Sequence, residues 1–443
     1  MIFQFSKNPA MTLAFSFALV IAAGTLLLTL PASTPDGMRI SFTDALFTAT
    51  SATCVTGLIV RSTPAGFTLF GKTVILVLIQ LGALGIMTFS IALILTLGRK
   101  ISKAQEMLLK DALNEENIRS TRDILKFLLI FTFGAEAVGT GFLFFCFKKF
   151  FPAAESFKMA LFHSVSAFCN AGFSLLDANI MCFAQRPSVL FVFSALIILG
   201  GIGFVVLLDI INFRKVNSHR FKVHTKIVIT STIFLLVAGT LLFYAGEKNN
   251  TLSGMRCGDK WMNAFFQSVT ARTAGFNTVD ISKITPFSKF ALLPLMFIGA
   301  SPGGTGGGIK TITFVLMLLV AASHLKHRED LVVFGRNIPA FFARRAFAIT
   351  VYAALIIFAA SGILLYTEHF PFENIIFEVV SAFGTVGLST GITCGLNDIS
   401  KYVITFVMFM GRLGPLTIAL AAIGASGDER VSVSYADERI MLG

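Results

Sequence analysis

The sequence predicts an all-α integral membrane protein of four tandem parallel units, each a membrane span, a half-span helix, a return loop and a second span. Three observations carry that expectation. Charged residues make up only 14% of the 443-residue chain, against about 25% in soluble domains. Eight apolar stretches are long enough to cross a bilayer. Between the two members of each pair lies a segment too short and too polar to cross, and the four such segments look alike.

The spans fall at residues 11–30, 71–97, 125–147, 187–211, 227–246, 288–323, 346–366 and 401–424, the sixth being long and interrupted. The first reads as a retained helix, because the stretch MIFQFSKNPA before it holds one positive charge and no small-residue cleavage site stands out. The formal net charge of +12 is not a nucleic-acid footprint. Lys and Arg concentrate in three linkers: Arg99 to Lys126, Arg214 to Lys226, and Lys326 to Arg345. With two spans per unit these linkers and both termini share one side, which the positive-inside rule makes cytoplasmic in a multi-pass plasma-membrane protein. Six cysteines show no CxxC pair and no metal-ligand spacing. Cys182, Cys257 and Cys394 fall in outer loops, where the sequence leaves a disulfide undecided.

The repeated segments are FTDALFTATSATCVTGL, FKMALFHSVSAFCNAGF, KWMNAFFQSVTARTAGF and ENIIFEVVSAFGTVGLS. Each opens with a half-span apolar at helical spacing and reaches one glycine followed by Leu or Phe: Gly57, Gly172, Gly275 and Gly387, each just over a hundred residues from the last. The units expected are residues 1–98, 99–226, 227–324 and 325–443, the second beginning with a cytoplasmic linker and the fourth ending in a cytoplasmic tail. Irregular backbone at membrane depth must be buried in protein or line a water-filled cavity. Four such loops, one per parallel unit, can meet on a pseudo-fourfold axis. A glycine admits a positive φ, and the carbonyls before it can then replace the hydration shell of a bare cation. The filter so predicted comprises Cys54, Val55, Thr56 and Gly57; Cys169, Asn170, Ala171 and Gly172; Thr273, Ala274 and Gly275; and Gly384, Thr385, Val386 and Gly387. These stretches share almost no side chain, which suits a backbone-built filter and suits side-chain catalysis poorly. Arg272 would repel a cation, so it is expected to point away from the axis as a brace, with Glu378 as a candidate partner.

The second spans also repeat. Gly82 and Gly85, Gly200 and Gly203, and Gly411 and Gly414 form GxxG pairs suited to close helix packing. The third unit has GASPGGTGGGIKT over residues 299–311 instead, and a span cannot stay helical through six glycines and a proline. This loop predicts an intramembrane gate below the filter, with Gly303, Gly304, Thr305, Gly306, Gly307, Gly308 and Lys310 as its moving part. A phosphate-binding loop is excluded by spacing, since Ile309 stands where GxxxxGK needs glycine. Arg412 sits mid-span, where a charge costs about 2.5–3.5 kcal/mol and marks function or a buried partner. It is expected to hold the loop through its carbonyls and to raise the barrier to cations. His163 and Glu136 stand alone on apolar segments and read as packed or hydrogen-bonded. No catalytic set emerges, so no enzyme is expected. An alternating-access carrier would show inverted repeats around a midplane site, whereas these units are parallel.

The motifs TCVTGL, CNAGF, TARTAGF and GTVGLS, with GGTGGGIKT and Arg412, make the chain similar to the KtrB/TrkH superfamily of potassium transporters, and within it to the KtrB membrane subunits, over nearly its whole length. The C-terminal YADERIMLG also resembles a KtrB tail. The resemblance implies a homodimer with one pore per protomer. It implies potassium as substrate, held at the filter carbonyls, and no covalently bound cofactor. It implies a cytoplasmic nucleotide-binding ring of the RCK type (KtrA/TrkA-like) that controls opening, so a nucleotide would act only through that partner. Sodium dependence is implied as well, though no motif here establishes it. Cys54-Val55 departs from the small or hydroxyl residues common in relatives.

Overall fold

The computed structural model describes residues 9–35, 39–85, 121–215, 221–326 and 330–414. The elements recur in one order. A long apolar helix comes first: α1 (Pro9–Leu28), α4 (Thr121–Phe147), α8 (Val223–Glu247) and α12 (Ala340–Thr367). A shorter buried helix follows each: α2 (Phe42–Thr53), α5 (Ala153–Phe168), α9 (Cys257–Thr270) and α13 (Phe372–Gly384). Then comes a return loop and a third helix: α3 (Leu69–Leu84), α6 (Pro187–Gly201), α10 (Pro286–Phe297) and α14 (Asp398–Leu413). Among the described residues, four helices are long and apolar enough to cross a membrane unbroken: Met11–Leu28, Lys126–Phe147, Val223–Glu247 and Ala340–Thr367. The third helices begin on local signals. The side chains of Thr68, Thr285 and Asn397 accept from the backbone amides of Gly71, Ser288 and Ser400, and Pro187 opens α6 at a position where a missing N–H costs nothing.

The second spans differ from expectation. The stretch 187–211 is broken: α6 ends at Gly201, α7 (Phe204–Lys215) starts three residues on, and the chain bends by 97°. The stretch 288–323 is α10, a loop, and α11 (Thr311–Leu325). The helices within 71–97 and 401–424 end at Leu84 and Leu413; residues 86–97 and 415–424 lie outside the described residues. All three breaks at GxxG pairs have one cause. The second glycine takes a positive φ, +77° at Gly85, +95° at Gly203 and +88° at Gly414, and no α-helix continues through that conformation. The first glycine of each pair lets the helix lie against the end of a short buried helix. A Cβ at Gly82, Gly200 or Gly411 would overlap the carbonyl oxygen of Thr53, Phe168 or Phe383 respectively.

Among the described residues, one hairpin is not helical. Leu331–Val333 (β1) and Arg336–Ile338 (β2) pair antiparallel in the third linker. Phe334 and Gly335 between them both have positive φ, the mark of a tight two-residue hairpin turn. Lys226, from the second linker, lies 5.6 Å from the Phe334 ring centroid, so these two basic linkers meet. All six cysteines are free thiols.

Replacing Gly411 by Ala is expected to lower the thermal unfolding midpoint in detergent sharply. Gly134→Ala, on the exposed side of α4 with nothing within 4 Å of the new methyl, is expected to leave the midpoint unchanged or raise it, since Ala is the better helix former by about 1 kcal/mol. Equal midpoints for the two variants would refute the close packing of α14 on α13.

Candidate functional site

The four return loops share a backbone geometry. Positive φ falls at the glycine and two residues before it: Val55 (58°) and Gly57 (91°), Asn170 (59°) and Gly172 (71°), Thr273 (75°) and Gly275 (75°), Thr385 (50°) and Gly387 (89°). Such alternation of hand gathers successive N–H groups to one side and carbonyls to the other. The N–H groups turn back to the buried helix. Val55 and Thr56 donate to Ala52 and Ser51, Asn170 and Ala171 to Ala167 and Ser166, Arg272 and Ala274 to Val269 and Thr270, Thr385 and Val386 to Ala382 and Ser381, all at 2.7–3.2 Å. The carbonyls of Val55, Thr56, Asn170, Ala171, Thr273, Ala274, Thr385 and Val386 accept no hydrogen bond among the described residues, although all eight residues are fully buried.

The loops touch one another in a closed cycle. A Cβ at Gly57 would strike the carbonyl of Ala171, one at Gly172 that of Ala274, one at Gly275 that of Val386, and one at Gly387 that of Thr56. Each glycine is therefore fixed twice, by its φ and by its neighbour's oxygen. All four line one funnel of about 330 Å³, together with Asp177 and Asp280. Asp280 is held below the usual carboxylate range: burial opposes this, but hydrogen bonds from Ser282 and Lys283 prevail.

Serines six residues before three of the glycines hold the loops in shape, and sequence reasoning did not single them out. Ser51 Oγ donates to Leu58 O at 2.7 Å and accepts from Gly57 N at 3.1 Å. Ser166 Oγ donates to Phe173 O at 2.8 Å, and Ser381 Oγ accepts from Gly387 N at 3.1 Å. Aligning the segments on their glycines puts these serines in one column, with Val269 as the exception.

Behind the loops, Cys54 is buried, and Cys169 directs its thiol to Gln80 Oε1 (3.6 Å) and Glu136 Oε1 (3.7 Å), while Gln80 Nε2 donates to the same Glu136 oxygen at 3.0 Å. His163 is enclosed by Phe147, Phe162, Phe193 and Phe276, and its ring nitrogens meet Met159 O and Ser174 Oγ. Arg272 lies off the funnel, in a small cavity with Thr232 and Leu236 of α8, and donates to Gly299 O at 3.4 Å. It forms no ion pair with Glu378, the partner suggested by sequence. Glu378 instead accepts from Thr393 Oγ1 through Oε1, a donor on the stretch following its own loop, while its Oε2 has no hydrogen-bond partner among the described residues.

Below the loops, residues 299–311 are fastened on several sides. Gly299 and Ile309 bond across the loop's own neck, N to O at 2.9 Å. Ser301 N and Thr305 N donate to Gly201 O and Gly200 O, and Gly303 O accepts from Phe204 N. Gly308 N donates to Gly411 O at 3.2 Å. Lys310 Nζ donates to Gly306 O at 2.6 Å. Gly304 packs so closely that a Cβ would approach Gly201 O at 2.7 Å. The Arg412 guanidinium donates to Thr305 O with one nitrogen and to Gly82 O with the other. One side chain thus ties this loop to α3.

Known proteins bear on this arrangement. The sequence profile described as "TrkH: Cation transport protein" matches residues 3–429. The chain belongs to that family. A chain named Ktr system potassium uptake protein B from Vibrio alginolyticus is 39% identical over 430 residues, covering 97% of this chain and 93% of the relative. Its namesake in Bacillus subtilis is 39% identical over 438 residues, at 98% and 97% coverage. The potassium/sodium uptake protein NtpJ of Enterococcus hirae is 35% identical over 441 residues, at 98% and 97% coverage. The crystal structure of the potassium transporter TrkH from Vibrio parahaemolyticus superposes with a TM-score of 0.73 at 21% identity, covering 94% of this chain and 85% of that one, which establishes a shared fold. The family member described here is thus a multi-pass membrane protein of cation transport and not an enzyme.

Ser166→Ala removes the donor to a buried carbonyl, so it is expected to cost about 1–3 kcal/mol of stability, read as a lowered unfolding midpoint in detergent. A midpoint equal to that of the parent would show that Phe173 O finds another partner.

Proposed function

We propose that the chain is the ion-conducting membrane subunit of a potassium uptake system, a gated passive pore on a pseudo-fourfold axis. One observation carries this reading: eight buried loop carbonyls, two from each of four loops in a closed cycle, have no donor among the described residues, and the glycine that follows each pair lines one common funnel. A buried carbonyl without a partner is costly, and a dehydrated monovalent cation is the partner that four inward-facing sets of oxygens suit. The C-terminal ends of α2, α5, α9 and α13 lead into these loops, and the negative end of a helix dipole favours a cation there. Potassium rather than another cation is proposed from the names of the relatives, and sodium coupling from that of NtpJ.

Residues 299–311 would be the gate, since they lie under two of the loops and glycines dominate their sequence. Arg412 would hold the gate shut and add a positive charge to the path. The same family likeness supports a homodimer, a cytoplasmic nucleotide-binding ring as regulator, and both termini in the cytoplasm of a plasma-membrane protein. The fastening of the loop to α6, α14 and, through Arg412, α3 favours a gate that opens by releasing these bonds rather than one that sways freely.

Uptake of ⁸⁶Rb⁺ into liposomes holding the purified chain tests the proposal. Uptake should be blocked by K⁺, spared by Na⁺, and lost in Gly172→Asp, whose side chain would fill the ring and be strained at that φ. Uptake indifferent to both cations and to the substitution would refute the four-loop filter. Arg412→Ala should raise uptake severalfold; unchanged uptake would remove Arg412 from gating.

A further inference from the structure

The loop at 299–311 does not merely lie beneath the return loops; it is hydrogen-bonded to the fourth of them and to the end of α5, and packed against the third. Gly307 N donates to Thr385 Oγ1 at 2.9 Å. Thr305 Oγ1 donates to Phe168 O, the last carbonyl of α5, at 3.3 Å. A Cβ at Gly306 would overlap Thr273 Oγ1, and one at Gly308 would approach Gly384 Cα at 3.2 Å. Thr273 is in turn paired with Asn170 at 3.2 Å. Thr385, Thr273 and Asn170 occupy the same place in three successive loops, the positive-φ residue two before the glycine. A non-glycine residue in that conformation carries strain and persists only where its surroundings hold it. For Thr385 a part of those surroundings is the gate loop itself.

We infer that Thr385 is a specificity-determining residue whose geometry is set by the gate loop, so that cation discrimination depends on whether that loop is docked. The inference rests on the pore reading above and deepens it. With the loop docked, Gly307 holds the Thr385 hydroxyl and the packing of Gly306 holds Thr273. With the loop displaced, both hydroxyls lose these contacts, and the peptide units of Thr385-Val386 and Thr273-Ala274, which bear four of the eight free carbonyls, gain freedom. A filter with looser oxygens discriminates less between cations of different size, because the oxygens can close on the smaller one. Unlike a gate below an independent filter, this arrangement changes rate and selectivity together.

The test uses the full chain in liposomes, with ⁸⁶Rb⁺ uptake measured against K⁺ and Na⁺ as competitors. Thr385→Val keeps the shape and removes the acceptor. It should raise uptake and reduce the ratio of K⁺ to Na⁺ potency as competitors by about fivefold, the change that one hydrogen bond of ordinary net strength supports. Thr385→Ser keeps the hydroxyl and should recover most of the ratio that Val loses. Should Thr385→Val not assemble, Arg412→Ala carries the same test without altering a return loop: uptake should rise and the ratio should fall with it. Raised uptake at the parent's ratio, in either variant, overturns the inference while leaving the pore intact. Parent uptake that K⁺ does not block would instead overturn the pore reading on which it rests.

Discussion

The arrangement depends on how buried backbone is satisfied where lipid offers no hydrogen-bonding partner. Helices settle the matter internally; four return loops and the broken helices cannot. In the return loops the solution is asymmetric. The amides fold back onto the last carbonyls of the preceding helix, and the serine hydroxyls of Ser51, Ser166 and Ser381 take up what remains at the glycine and the residue after it. That leaves the loop carbonyls without a donor among the described residues. The alternating hand of the backbone follows from the same need, since only it turns the amides one way and the carbonyls the other. The site is therefore made by what the fold declines to pair.

The broken helices obey the rule differently. Residues 299–311 have no helix to lean on, and their amides and carbonyls are paired partly within the stretch, as Gly299 with Ile309 and Gly304 with Ser301, and partly outward, to Gly200, Gly201, Phe204 and Gly411. Those partners exist only because α6 and α14 themselves break at glycine and free their own ends. The break at Gly203 that the sequence did not announce is thus what receives the break that it did. Arg412 fits the same logic. A guanidinium at this depth has several donors and needs acceptors, and the freed carbonyls of Thr305 and Gly82 need donors. Charge-assisted bonds of this kind offset much of the cost of placing the charge there.

The alternation of long apolar helices with short segments was legible in the sequence because membrane spans announce themselves by length and composition. The return loops were legible because their glycines recur at one place in look-alike segments. The break at Gly201–Gly203 was not, since GxxG is equally suited to continuous close-packed helices and only φ distinguishes the cases. The hairpin at Leu331–Ile338 was missed because three-residue strands leave too short an alternation to detect. The serines lay in plain view but carry meaning only once the loops are known to need donors. Pairing Arg272 with Glu378 failed because charge complementarity ignores nearer neutral donors, and Thr393 is one.

The third unit departs from the other three in several ways that converge. It lacks the loop serine, having Val269 in that column; it carries Arg272 beside the loop; and its inner helix is the one that opens into residues 299–311. Arg272 reaches the carbonyl of Gly299, where that opening begins, so the third return loop and the start of the broken helix are joined by a side chain that no other unit has. A site built from backbone oxygens permits such divergence, because the ring asks each unit for the same φ pattern and not for the same side chains. What the ring leaves unconstrained, the residues behind and beneath it, is where one unit in four diverges in sequence. The residues particular to single units, Arg272 and the 299–311 stretch in the third and Arg412 in the fourth, meet at Gly299 and Thr305 and are the trace of that freedom.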